Sequence, residues 1–143
     1  MTLVRKLFEE YAASLDIDLC FQDFERELET LPGGYGPPEG TIIVALADGE
    51  PAGCVALRRI EKDTCEMKRL YVKPEHRGKG IGRELAGAAI GSAREIGYAS
   101  MKLDTLRSMT EANALYLSLG FTECVPYRHN PCEHPVYMEL SLL

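Results

Sequence analysis

Residues 66–82 read Glu-Met-Lys-Arg-Leu-Tyr-Val-Lys-Pro-Glu-His-Arg-Gly-Lys-Gly-Ile-Gly, and they contain the change in pattern that decides the fold. The apolar run that ends at Val72 is typical of a strand, and Pro74 stops it because proline cannot donate to a β-ladder. After Gly80, apolar residues recur at helical spacing as far as Ile96. The sequence therefore predicts a strand that leads into a helix through a glycine-rich loop.

The loop from Arg77 to Gly82 has the composition of an anion site. Its glycines let a ligand approach the backbone, its N–H groups lie at the positive end of a helix, and Lys79 adds charge. Two other phosphate-binding motifs do not fit. A dinucleotide fingerprint needs glycine where Arg83 stands, and a Walker loop needs serine or threonine where Gly80 stands. We expect this loop to bind a phosphate.

Arg77, Gly80 and Gly82 form an Arg-x-x-Gly-x-Gly pattern that resembles the motif of the GNAT superfamily of acetyl-coenzyme A-dependent N-acyltransferases. Residues 69–72 (Arg-Leu-Tyr-Val) before it and 115–121 (Leu-Tyr-Leu-Ser-Leu-Gly-Phe) after it also resemble segments of that family. The three segments together are a much more specific signal than the loop alone.

The resemblance implies an α/β (α+β) GNAT fold, in which helices flank a mixed, mostly antiparallel sheet that splits into a V. A length of 143 residues suits one domain, so we expect a single N-acetyltransferase domain over residues 1–143. The family normally begins with a strand before its first helix. Here helical spacing already starts near residue 3, so we expect that first strand to be missing or replaced by another segment.

The rest of the pattern gives helices over 3–15, 22–31 and 109–119, and strands over 41–47, 51–60, 65–72, 99–104, 121–125 and 136–142. The strand, helix and strand around the glycine loop form a βαβ unit, whose two strands should be parallel. Loop 32–40 is rich in proline and glycine and is expected to be neither helix nor strand. It is either a plain linker or a lid over the acceptor pocket with Tyr35 pointing inward.

The composition argues against several functional classes. With 22 acidic and 16 basic residues, the net charge of −6 argues against nucleic acid as the main partner. No apolar run is long enough to span a membrane and no signal peptide opens the sequence, so we expect no membrane partner and a cytoplasmic location. The five cysteines lack metal-ligand spacing, which indicates reduced thiols and no metal.

The resemblance implies that acetyl-CoA is the co-substrate and that its acetyl group moves directly to a primary amine of a small molecule or peptide. The pyrophosphate would lie on the loop, and the pantetheine arm would pair with freed backbone groups of Leu70 and Val72. The N–H of Leu70 would polarise the thioester carbonyl. The implied coenzyme-binding residues are Leu70, Tyr71, Val72, Arg77, Gly78, Lys79, Gly80, Ile81 and Gly82.

Tyr116 matches the tyrosine of the family's Leu-Tyr-x-x-x-Gly-Phe signature. The match implies that its phenol protonates the leaving thiolate, although a tyrosine there can also simply fill a gap between helix and sheet. Many members carry asparagine seven residues earlier, where this chain has Met109. That difference removes a polar coenzyme contact at the start of the helix.

Glu66 stands where some members place a catalytic base. On a regular extended strand it shares a face with Lys68, Leu70 and Val72. Two alternatives remain open for this position. Glu66 can be a structural carboxylate at a sheet edge, paired with Lys68 or Arg58, and a chain of waters can deprotonate the amine instead.

Candidate acceptor residues lie in loops expected near the carboxyl ends of the parallel strands: Tyr35, Asp104, Thr105, Arg107, Tyr127 and Asn130. Asp104 suits an ammonium, and Arg107 or Arg128 suits a carboxylate, which suggests an amino-acid-like amine. We expect His76 and His129 on the surface, because no nucleophile lies in a recognisable triad pattern.

Two other functions remain as alternatives to an enzyme. One is an acyl-CoA sensor without catalytic activity, and the other is a regulatory domain that binds a protein through loops 32–40 and 126–135. The sequence has no feature that specifically indicates either. Many relatives in the superfamily form homodimers, and the pattern does not indicate which face would pair.

Overall fold

The computed structural model describes residues 2–14, 24–128, 130 and 134–143. Within these ranges the helices are α1 (Thr2–Ser14), α2 (Phe24–Glu29), α3 (Ile81–Ile96) and α4 (Thr110–Ser118). The strands are β1 (Thr41–Ala47), β2 (Glu50–Glu61), β3 (Thr64–Val72), β4 (Ser100–Leu106), β5 (Thr122–Glu123) and β6 (Pro135–Ser141).

The strands form one mixed sheet in the order β1-β2-β3-β4-β6-β5. Neighbours are antiparallel except β3 and β4, which are parallel and joined by α3. This confirms the α/β fold and the predicted βαβ unit. In the described part of the chain no strand precedes α1, and β1 has β2 as its one neighbour.

The sheet splits between its two parallel strands. Residues 64–66 of β3 are in register with residues 100–102 of β4, and no pairing continues beyond them. The carboxyl halves of β3 and β4 therefore diverge, which is the V-shaped split that the resemblance implied. Backbone groups on both strands are left without a ladder partner along this opening.

A β-bulge interrupts β3 close to the split. Two residues of β3, Arg69 and Leu70, stand opposite the single Val55 of β2. Arg69 has a φ of 60°, in the left-handed region that non-glycine residues rarely adopt. An extra residue on one strand moves every later side chain to the other face of the sheet.

The bulge corrects one expectation from the sequence. Leu70 and Val72 pack against the core under α3, on the same face as Met67 before the bulge. Glu66 and Lys68 alternate with Met67 and so point to the other face. The prediction that Glu66 shares a face with Leu70 and Val72 was wrong, because it assumed a regular strand.

Two apolar cores lie on the two faces of the sheet. The larger is formed with α3 and contacts the ends of α4, and the smaller is formed with α1 and α2. In α1 the buried residues are Val4, Leu7 and Phe8, at the spacing of one helical face. Phe24 and Leu28 are buried in the smaller core as predicted. Phe21, also predicted to point inward, lies outside the described residues.

Some predicted boundaries were wrong. The segment 32–40 contains one 3₁₀ turn, Gly33–Tyr35, where no helix was expected. The fifth strand is two residues long, Thr122–Glu123, instead of the predicted 121–125. At the end of α4, Gly120 has a φ of 102° in the position after the cap, as expected for a glycine that stops a helix.

Candidate active site

A cavity of about 540 Å³ lies between the end of β3 and the start of α4, the two elements separated by the split in the sheet. Tyr11 and Ser14 of α1 form one of its walls. The predicted coenzyme-binding residues that line it are Leu70, Tyr71, Val72, Arg77, Gly78, Gly80, Ile81 and Gly82. Lys79 is exposed and lies outside the lining.

The glycine loop presents unpaired backbone N–H groups at the start of α3. From Gly78 to Arg83 no backbone N–H donates to a backbone carbonyl of the described residues, and the N–H of Glu84 is the first to do so, to Gly80. Gly78 and Gly80 have φ values of 79° and 81°, which glycine adopts without strain. Together with the helix dipole, these donors make an anion site.

Arg77 holds the loop against β3. Its Nε donates to the carbonyl oxygen of Val72 at 3.0 Å, so the guanidinium fixes the angle between strand and loop. This bond also uses the Val72 carbonyl, which was expected to be free for the pantetheine arm. Leu70 has no register partner on β2 or β4, so its backbone stays within the unpaired stretch that lines the cavity.

His76 lines the cavity although the sequence predicted a surface position. Its Nδ1 is buried and has no hydrogen-bond partner among the described residues. A buried polar atom without a partner costs free energy unless a ligand or water pairs with it. The one sequence signal for this role was the position of His76 directly before the motif arginine.

Tyr116 is buried behind the cavity wall formed by Ala112 and Leu115. Its ring packs edge-on against Phe121, with the centroids 5.8 Å apart. Burial, and then the charges of Tyr11 and Asp104, raise its pKa above the ordinary value of 10.0, so the phenol stays protonated at neutral pH.

Glu66 lies at the centre of an ion-pair cluster on the other face of the sheet. It is fully buried, and its Oε1 accepts from the Nε of Arg58 at 2.9 Å. Its Oε2 lies 2.5 Å from Nη2 of Arg128 and accepts from the hydroxyl of Tyr127 at 2.6 Å. The pairing with Arg58 was foreseen from the sequence, but the burial was not, because β3 lies inside the sheet.

The surroundings of Glu66 do not suit a proton acceptor. Burial alone would raise the pKa of its carboxyl, but the charges of Lys68 and Arg128, the hydrogen bond from Tyr127 and the charge of Arg58 outweigh burial and lower it. A carboxylate held in its charged form by several cations is a weak base. The predicted role of Glu66 as general base is therefore disfavoured.

Lys68 is a buried charged residue to which the sequence pattern assigned no function of its own. It is 6% exposed, and burial lowers the pKa of its ammonium from 10.5 to about 8, against the opposing charge of Glu66. The charges of Asp104 and Arg128 also act on it. Lys68 thus belongs to the same cluster as Glu66.

Four of the six predicted acceptor residues divide into two pairs. Tyr35 is buried in the smaller core, and its hydroxyl donates to Glu27, so it does not face the cavity. Arg107 is exposed and pairs with Glu123 at 2.9 Å on the surface. Neither position suits a substrate contact, which corrects both predictions. The other two, Asp104 and Tyr127, lie in or next to the Glu66 cluster.

Residues 3–121 match the sequence profile described as the Acetyltransferase (GNAT) family. This chain belongs to the GNAT family. An uncharacterized N-acetyltransferase of Schizosaccharomyces pombe is 42% identical over 140 residues, which cover 96% of this chain and 86% of the relative.

Solved GNAT structures have the same fold. An acetyltransferase of the GNAT family from Staphylococcus aureus superposes with a TM-score of 0.81 at 20% identity, covering 97% of this chain and 93% of that one. The yncA protein of Salmonella typhimurium, solved with its cofactor acetyl-CoA, superposes with a TM-score of 0.61 at 26% identity, covering 71% of this chain and 64% of that one.

The GNAT domain has neither a metal cluster nor a membrane-spanning helix in its described ranges. There, no group of three or more histidine, cysteine, aspartate and glutamate side chains is placed to hold a metal ion. Each helix of the described part is too short or too polar to cross a membrane.

Proposed function

We propose that this GNAT domain moves the acetyl group of acetyl-CoA directly onto a primary amine of a small molecule or peptide. The observation that carries the proposal is the row of unpaired N–H groups from Gly78 to Arg83, which opens into the same cavity as the unpaired end of β3. A phosphate-binding helix start next to a free strand backbone suits a ligand with a pyrophosphate and an amide-containing arm.

The residues present fit such a coenzyme. The loop amides and the helix dipole would bind the pyrophosphate, and Arg77 would hold the loop in place through its bond to Val72. The buried Nδ1 of His76 has no partner among the described residues and would gain one from the ligand. The N–H of Leu70 would donate to the thioester carbonyl oxygen, where negative charge develops during the reaction.

Acetyl-CoA supplies an acetyl group already activated as a thioester. In the transfer, the amine nitrogen forms a bond to the carbonyl carbon, the bond from that carbon to sulfur breaks, and the amine loses one proton. Tyr116 is the proposed donor of a proton to the departing sulfur, because its phenol is protonated at neutral pH and is packed behind the wall of the cavity in which the sulfur would lie. No covalent enzyme intermediate is needed, since both substrates meet at the split in the sheet.

Deprotonation of the amine needs a separate route. Glu66 is the residue that the resemblance implied, but its three described partners hold it in a structural ion cluster. We therefore favour the alternative already open from the sequence, in which waters in the cleft take the proton. Glu66 then serves to hold Arg58, Tyr127 and Arg128 in position beside the cleft.

The test is a thiol-release assay with acetyl-CoA and a panel of amino acids, polyamines, aminoglycosides and peptides. We expect release of free thiol that depends on one class of amine, with the acetylated amine found by mass spectrometry in equal amount. Coenzyme binding without thiol release across the panel would support the sensor instead. Absence of coenzyme binding by calorimetry would reject the site itself.

A further inference from the structure

The coenzyme cavity reaches both faces of the sheet through the split. Ala112 and Leu115 of α4 line it on the face that carries α3. Tyr11 and Ser14 of α1 line it on the opposite face. The unpaired end of β3 lies between these two walls. A thioester that pairs with this strand would therefore have α4 on one side and the side chain of Tyr11 on the other.

Tyr11 contacts both chain neighbours of Leu70. The Cζ of Arg69 lies 5.8 Å from the centroid of the Tyr11 ring, and the ring of Tyr71 meets it edge-on with the centroids 6.3 Å apart. Arg69 and Tyr71 directly precede and follow Leu70, whose N–H is the proposed donor to the thioester carbonyl oxygen. These two contacts hold Tyr11 at the position along β3 where acetyl transfer is proposed.

The hydroxyl of Tyr11 is better suited to donate a hydrogen bond than to accept one from an ammonium. Arg69 acts on this hydroxyl as a positive charge and as a hydrogen-bond donor. An oxygen that already faces a guanidinium is a poor acceptor for a second cation, and its own hydrogen becomes a stronger donor. Burial raises the pKa of the phenol above its ordinary value, against the charge of Arg69, so the hydroxyl keeps its proton at neutral pH.

We propose that the Tyr11 hydroxyl is a second hydrogen-bond donor to the thioester carbonyl oxygen, beside the N–H of Leu70. This inference rests on the proposed function and adds a catalytic residue to it. When the amine nitrogen bonds to the carbonyl carbon, an electron pair of the C=O bond moves onto the oxygen, and both donors bind the negative charge that develops there. When the carbon–sulfur bond breaks, the C=O bond forms again, and Tyr11 keeps its proton throughout.

The carbonyl oxygen can use both donors at once. It has two lone pairs, of which the N–H of Leu70 would occupy one. Tyr11 approaches from α1, on the other side of the strand from α4, so the two donors come from different directions. The bidentate pair of Arg69 with Glu27 fixes the guanidinium that lies over Tyr11. The hydroxyl therefore needs little reorganisation as charge develops on the oxygen.

The direct test is the infrared stretch of the thioester carbonyl when acetyl-CoA is bound to the intact protein without any amine. Acetyl-CoA with an isotope label at the carbonyl carbon separates this band from the protein bands in a difference spectrum. A hydrogen bond to the oxygen weakens the C=O bond and lowers its stretching frequency. We expect binding to lower the frequency in the wild type and by clearly less in Tyr11→Phe, which keeps the ring and loses the hydroxyl.

Tyr35→Phe is the matched control. It removes a hydroxyl from a buried tyrosine, one that donates to Oε1 of Glu27, the acid paired with Arg69, but Tyr35 does not line the cavity. The control therefore disturbs the same charge pair without removing the proposed donor. Its carbonyl frequency and its kcat should equal those of the wild type. Tyr11→Phe should lower kcat by about 100-fold with little change in coenzyme affinity or in the KM for the amine.

The outcomes separate this inference from the proposed function. An equal carbonyl frequency in the wild type and Tyr11→Phe, equal losses of kcat in Tyr11→Phe and Tyr35→Phe, or loss of coenzyme binding in Tyr11→Phe would overturn the inference and leave an amine acetyltransferase standing. Coenzyme binding by the wild type with no thiol release from any amine would overturn both together. The infrared measurement needs no acceptor, so it can be made before the amine is identified.

Discussion

Arg69 and Glu27 form a bidentate buried salt bridge, in which Nε of Arg69 lies 2.9 Å from Oε2 of Glu27 and Nη2 of Arg69 lies 3.0 Å from Oε1 of Glu27. Arg69 is the residue with positive φ in the β3 bulge, and its guanidinium also lies over the rings of Tyr11 and Phe24. The bulge that aims the backbone of Leu70 at the cavity is thus held in place from α2. A charge pair far from the coenzyme loop positions the proposed carbonyl-binding N–H.

Replacing Glu27 by glutamine should destabilise the protein strongly. The Arg69 guanidinium is 2% exposed, and glutamine would remove the charge of the carboxylate that both of these guanidinium nitrogens bind; breaking a buried pair in this way costs about 3–5 kcal/mol. Glu29→Gln, an exposed change on the same helix, should alter the free energy of unfolding by less than about 0.5 kcal/mol. Urea unfolding of both variants measures the difference, and equal stabilities would show that the bridge contributes little.

The buried ammonium of Lys68 should make stability depend on pH. Its pKa is about 8 when folded, against an ordinary 10.5, because burial disfavours the charged form. Between these values the unfolded chain holds a proton that the folded chain has released, so this group favours folding more as pH rises. Relative to Lys68→Met, the wild type should gain roughly 1–2 kcal/mol from about pH 7.5 to about pH 9.5.

Urea unfolding gives the free energy of unfolding of both proteins at the two pH values. The gain is the change with pH in the wild type minus the change with pH in Lys68→Met. Parallel changes in the wild type and Lys68→Met would mean that the lysine keeps its ordinary pKa. The opposite sign, with the wild type losing stability relative to the variant, would mean that its pKa is raised.

Replacing Tyr116 by phenylalanine should lower kcat by about 100-fold or more while changing the KM for the amine little, since a proton donor acts on the departing sulfur. Tyr98→Phe is the matched control. It also removes a buried hydroxyl, one that donates to the backbone oxygen of Glu39 far from the cleft. Similar losses of kcat in the two variants would remove the acid role.

The raised pKa of Tyr116 adds a prediction for the unaltered enzyme. Burial moves the pKa well above 10, so kcat should not fall near pH 10 through loss of this proton. A group must be protonated to donate, and it stays protonated until pH exceeds its pKa. A descending limb of kcat centred near pH 10 that disappears in Tyr116→Phe would contradict this pKa shift.

His76→Phe should weaken coenzyme binding by about 3- to 10-fold, the value of one net hydrogen bond. The buried Nδ1 has no partner in the described part of the chain, so folding stability should not fall when it is removed. His76→Asn, which keeps a polar atom near the same position, should bind better than the phenylalanine variant. Calorimetry with CoA measures the three affinities, and equal values would place Nδ1 outside the site.

The loop proposed to bind the coenzyme, Arg77 to Gly82, and its flanking elements could be predicted from the sequence, because this feature is local. Glycine spacing, a preceding strand and a following helix all lie within one short stretch, and the structure has each of them in place. The bulge could not be predicted. It depends on a left-handed arginine held by Glu27, 42 residues away along the chain, and no local pattern indicates such a pair.

The residues predicted to bind the acceptor also depend on contacts between distant parts of the chain, which a local sequence pattern does not indicate. Arg107 and Arg128 both lie in loops, and the sequence alone gives no reason to choose between them. The structure separates them by their partners, since Arg107 pairs with the exposed Glu123 and Arg128 with the buried Glu66. Tyr35 was misassigned for a similar reason, because its burial depends on packing against Phe8 of α1.

The proposed function requires that the backbone at the start of α3 binds the coenzyme, and a pair of glycine variants tests this requirement. Gly80 and Gly49 both have a φ of 81°, and at each of them a Cβ atom would meet open space, so aspartate should strain the backbone equally at the two positions. Gly49 lies in the β1–β2 turn, outside the cavity lining.

Calorimetric titration with CoA gives the direct answer. We predict that Gly80→Asp abolishes binding, because its carboxylate repels the phosphates at the helix start. Gly49→Asp should have the same folding stability as Gly80→Asp and should bind CoA like the wild type. Undiminished affinity in Gly80→Asp would contradict the proposed coenzyme site.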